Sequence, residues 1–80
     1  MKISNSEIDD AIDTCLGEWQ HQVKTAMIIG SVIIHFNKLG LNIGENEIAD
    51  RIYHLVETGK VVAFGDVKQW RRSEIIGNDF

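Results

Sequence analysis

Residues 51–76 read RIYHLVETGKVVAFGDVKQWRRSEII. This stretch has the pattern of a helix end, a Gly-Lys stop, a short strand, a Gly-Asp turn and a returning strand. Ile52, Leu55 and Val56 keep helical spacing, and Gly59 stands where a left-handed residue ends a helix. Val61, Val62, Ala63 and Phe64 favour a strand, because β-branched and aromatic side chains fit a pleated surface. Gly65-Asp66 opens a turn. The spacing predicts a hairpin over about residues 60–76, its second strand returning through 72–76. Residues 67–70 belong either to its loop or to that second strand, and the pattern does not choose between them.

Working outward, the helix that ends at Gly59 is predicted over about 45–58, with Ile48, Ile52, Leu55 and Val56 on its apolar face and Tyr53 at the edge. Residues 41–44 form a connector. A second helix is predicted over about 19–38, closed by Lys38-Leu39-Gly40. Its middle is apolar nearly all round, so it reads as a central helix buried on several sides. Gly30 weakens that helix and marks a close approach by another element. The first helix is predicted over about 5–16. Ser4 and Glu7 have capping-box spacing, and Ile8, Ala11, Ile12, Cys15 and Leu16 share one face. Residues 77–80 read as a loose tail.

Composition limits the function classes. An 80-residue chain leaves room for one domain, and the absence of proline argues against linkers and disorder. One cysteine excludes an intramolecular disulfide framework and points to a reducing compartment, the cytoplasm. The first ten residues lack a signal-peptide layout, and the apolar run at 26–36 is too short for a membrane span. The net charge of −4 is unevenly spread: residues 1–57 hold nine acids and four bases, while residues 60–76 hold four bases and two acids. An acidic body thus carries a basic hairpin.

Three helices followed by a C-terminal hairpin define an α+β class with a winged-helix-like layout, the third helix in the recognition position and the hairpin as wing. The wording of the second half also resembles the C-terminal part of the DUF3658 family, a bacterial domain of unknown function. The resemblance rests on Trp19, the small and apolar run from Ala26 to Gly30, the R-I-x-x-L-V-x-x-G segment of Arg51, Ile52, Leu55, Val56 and Gly59, then Gly65-Asp66, and finally Arg72 (or Arg71), Ser73, Glu74 and Ile75. It spans about residues 8–76 and implies a fold, with no activity or cofactor attached.

For function, the informative residues are Lys68, Trp70, Arg71 and Arg72, the one basic-aromatic cluster in the sequence. Trp and Arg are the types most enriched at binding hot spots, which points to a protein partner held by the hairpin. A second copy of the chain is a further candidate, pairing through an exposed strand edge. Nucleic acid is the runner-up, disfavoured because the third helix shows Glu45, Glu47, Asp50 and Glu57 against Arg51 alone. An immunity protein or antitoxin, its acidic body covering a cationic toxin, is a special case of protein binding. Enzyme chemistry is not expected. The acids Asp9, Asp10 and Asp13 sit at a helix start where the dipole favours them, and His21, His35 and His54 lack partners at zinc spacing. Cys15 reads as a buried hydrophobe and His35 as a half-buried, hydrogen-bonded side chain. No metal, cofactor or membrane partner is expected.

Overall fold

The computed structural model describes residues 3–19 and 21–78. Its elements run α1 (Asn5–Gly17), β1 (Val23–Lys24), α2 (Thr25–Lys38), α3 (Glu45–Glu57), β2 (Val61–Phe64) and β3 (Glu74–Gly77). The three strands form one antiparallel sheet in the order β1-β3-β2. The class is therefore α+β.

The local signals that start α1 and stop α2 and α3 act as expected. Ser4 Oγ accepts the Glu7 backbone N–H at 3.1 Å while the Glu7 carboxylate accepts the Ser4 N–H at 3.2 Å, a reciprocal cap that contributes about 1 kcal/mol. Ile8, Ala11, Ile12, Cys15 and Leu16 are all buried. They meet Ile28, Val32, Ile48, Ile52, Val61 and Ile75 in one core. Gly40 and Gly59, both at positive φ, follow the ends of α2 and α3.

Four expectations are corrected. The second helix starts at Thr25 rather than residue 19, because β3 takes up the preceding residues, Val23 opposite Ile75 and Lys24 opposite Glu74. Gln20, part of that expected helix, lies outside the described residues. The loose tail is partly ordered: Gly77 belongs to β3, and Asn78 donates its backbone N–H to the Lys60 carbonyl at 3.0 Å. Residues 79 and 80 lie outside the described residues.

The other two corrections concern α2. Among the described residues it is covered mainly on one side: Thr25, Ile28, Ile29, Val32 and Phe36 are buried against its neighbours, whereas Met27 and Ile34 are 49% and 56% exposed. At Gly30 a Cβ would meet nothing within 4 Å among the described residues, so the close approach expected there is not seen.

Cys15 is buried, and its thiol is held above its ordinary pKa, first by burial and then by the negative charge of Glu18. The unfolded thiol ionises near about pH 8.5, while the folded one keeps its proton to higher pH. This contribution is complete below that pH and is lost as pH rises through the folded value. Between neutral pH and pH 9.5, the wild type should lose more stability in urea titrations than Cys15→Ala does. Equal losses would show that the thiol does not couple to folding.

Candidate functional site

The basic-aromatic cluster lies on the loop joining β2 to β3, and the ambiguity over residues 67–70 is resolved: they are loop. Gly65 enters it at φ +86°, the left-handed region where a side chain is strained, so the turn favours glycine. The Asp66 carboxylate accepts the Lys68 N–H at 3.0 Å, and its carbonyl accepts the Gln69 N–H at 2.8 Å. The Gln69 carbonyl then accepts the N–H groups of Arg72 and Ser73 at 3.0 and 2.9 Å. Two consecutive turns result, each closed by its own backbone.

The loop is also tied down from outside. The first turn of α2 has no side-chain cap at Lys24, and its free N–H groups are met by loop carbonyls instead. Thr25 donates its N–H to the Ser73 carbonyl at 3.1 Å and Ala26 to the Trp70 carbonyl at 3.0 Å. The hydroxyls of Thr25 and Ser73 bond each other at 2.8 Å, both fully buried. Trp70 donates its indole N–H to the Tyr53 hydroxyl on α3 at 2.6 Å. Thr25, Ser73 and Tyr53 were not among the sequence candidates. Their partners lie 48 and 17 residues away, and no local spacing signals such pairs.

The four candidate residues divide into two groups. Lys68, Arg71 and Arg72 are exposed, whereas Trp70 is half-buried and packs on the core. With Gln69 they line an open, shallow depression. Trp70 therefore supports the loop from beneath, and the three cations form its outer surface.

Charge elsewhere sharpens the contrast. The described residues contain one ion pair, a two-pronged one: Arg51 Nε and Nη2 donate to the Asp9 carboxylate at 2.9 and 2.8 Å. That hydrogen bond raises the guanidinium pKa further above its already high value, against a smaller opposing effect of burial. The one base of α3 is thus directed at α1. Glu45, Glu47, Asp50 and Glu57 remain exposed on α3. Glu74, the acid nearest the loop on β3, accepts from Gln22 Nε2.

Among the described residues no group of three or more His, Cys, Asp or Glu side chains is placed to hold a metal ion. His35 is exposed, contrary to the half-buried position expected, and stacks edge-on against Phe36 with ring centroids 5.2 Å apart. No described helix is long and apolar enough to cross a membrane. No protein-family model, curated protein or solved structure matches the chain.

Proposed function

We propose that this chain is a winged-helix domain, related in layout to DUF3658, that acts as a non-catalytic protein-interaction module in the cytoplasm. The wing loop seats an acidic patch of a protein partner on Lys68, Arg71 and Arg72, with Trp70 holding the loop in shape. One observation carries this reading: three exposed cations, unpaired among the described residues, sit on a loop pinned to two helices. Pinning lowers the ordering entropy that a flexible loop would lose on binding.

The order helix, short strand, helix, helix, hairpin supports the winged-helix reading. Nucleic acid fits the same fold less well. The recognition-position helix exposes four acids and its arginine is engaged elsewhere, so a duplex would meet repulsion along the major groove.

The test is affinity capture from lysate, comparing wild type with a Lys68→Glu/Arg71→Glu/Arg72→Glu variant, both shown to be folded by circular dichroism. A protein retained by the wild type and released by charge reversal is the expected result. A nuclease or other toxin among the retained proteins would narrow the role to immunity protein or antitoxin. Parallel titration with duplex DNA at two salt concentrations separates the runner-up. Binding with a steep salt slope, lost in the triple variant, would overturn the protein-binding reading in favour of phosphate contact.

A further inference from the structure

The depression on the wing loop is unlike the residues that line it. Lys68, Gln69, Arg71 and Arg72 are polar and Trp70 is the only apolar member, yet the wall of this space, about 400 Å³ in volume, is more apolar than polar. Long charged side chains give that result when their aliphatic stems lie along a surface and their heads stand in water. The half-buried Trp70 supplies the floor, and the exposed Lys68, Arg71 and Arg72 supply the rim. That floor offers carbon. The indole has one donor, and it is spent on the Tyr53 hydroxyl at 2.6 Å. The backbone beneath is fixed as well, because the Trp70 carbonyl accepts the Ala26 N–H at 3.0 Å. Little freedom is left for Trp70 to lose on binding.

The rim is charged and unanswered. The acids nearest in the chain, Asp66 and Glu74, accept from the Lys68 backbone N–H and from Gln22, and none of the three cations has an ion-pair partner among the described residues. A ligand that matches both parts is apolar in the middle and anionic at its edges. The depression is open, whereas small-molecule sites ordinarily enclose most of their ligand. One side chain of a peptide laid across the loop needs no such enclosure, because its neighbours in the peptide engage the rim. The phosphates of a duplex would satisfy the rim and leave the floor unfilled. We infer that the segment bound here is a short acidic stretch of a partner protein carrying one large apolar side chain. That side chain sits on Trp70, and carboxylates on either side of it meet Lys68, Arg71 and Arg72. The inference rests on the wing loop being the partner-binding site, and it names what that site accepts.

A Trp19→Phe variant leaves Trp70 as the sole indole, and Trp19 is exposed enough for the fold to tolerate the change. Its fluorescence is titrated with three synthetic peptides: one phenylalanine flanked on both sides by glutamates, the same peptide with serine for phenylalanine, and the same peptide with glutamines for glutamates. The first should shift Trp70 emission saturably to shorter wavelength. The serine peptide should bind at least about tenfold more weakly, the factor that partial burial of one aromatic side chain supplies. The glutamine peptide should lose at least as much, and Lys68→Glu/Arg71→Glu/Arg72→Glu in the same background should abolish the shift. Equal binding of the phenylalanine and serine peptides would overturn the inference and leave the loop as a site for acidic groups alone. No binding by any peptide would overturn it too, while capture from lysate still decides the broader reading independently. Tighter binding of adenosine monophosphate than of the first peptide would overturn it in favour of a free nucleotide.

Discussion

Ile28→Ala should remove about 3–4 kcal/mol of stability, while Ile34→Ala, on the same helix, should cost less than about 0.5 kcal/mol in the monomer. Ile28 is fully buried in the core; Ile34 is 56% exposed. Truncating the first loses the transfer free energy of its methyl groups and leaves a cavity that the packed neighbours fill only in part. Truncating the second exposes little that was hidden. A domain of this size has only about 4–12 kcal/mol of net stability, so the first change alone brings the fold close to its limit. Urea unfolding followed by far-ultraviolet circular dichroism, at a concentration where the chain is monomeric, separates the two positions. Similar losses at both would mean that the outer face of α2 is covered within the chain, which contradicts the packing described.

Trp70→Ala should cost about 2–3 kcal/mol, more than any change among the exposed cations of its loop. The side chain packs on the core and donates a hydrogen bond to Tyr53. Its removal empties half-buried space and leaves the tyrosine hydroxyl without its partner. Tyr53→Phe, which deletes only the hydrogen bond, should cost about 1 kcal/mol, and the Trp70→Ala/Tyr53→Phe double variant should cost less than the two single losses together. Strict additivity would break the proposed coupling of loop to α3. Lys68→Ala, Arg71→Ala and Arg72→Ala should each stay within about 0.5 kcal/mol, as exposed charges without partners do. Stability and binding thus separate within one loop: the tryptophan reports on the scaffold and the cations on the partner. A binding loss in Trp70→Ala taken alone would not distinguish contact from collapse.

Much of the architecture was legible because its causes are local. Ser4 and Glu7 are three residues apart, and each satisfies a donor of the other. Gly40, Gly59 and Gly65 adopt positive φ where L-residues are strained. The β-branched and aromatic run Val61–Phe64 favours a strand by itself, and helical spacing in α1 and α3 follows from side-chain direction. The basic cluster was legible as composition, and the structure places Lys68, Arg71 and Arg72 at the surface.

What escaped the sequence depends on distant partners. Two residues such as Val23-Lys24 carry no strand signal of their own, and they are strand because Ile75 and Glu74 lie opposite them. The start of α2 was misjudged for the same reason: its cap is not a neighbouring side chain but the carbonyls of Trp70 and Ser73. A second distant contact, the indole N–H of Trp70 on the Tyr53 hydroxyl, turns that side chain toward the core. Apolar residues all around α2 said that it should be buried, but they could not say which face the chain itself would cover. Sequence determined the three helices, apart from the start of α2, and the hairpin, because capping, turn geometry and periodicity act over a few residues. Tertiary structure alone decided the third strand, the inward tryptophan and the open face of α2, because each depends on groups far apart in the chain meeting in space.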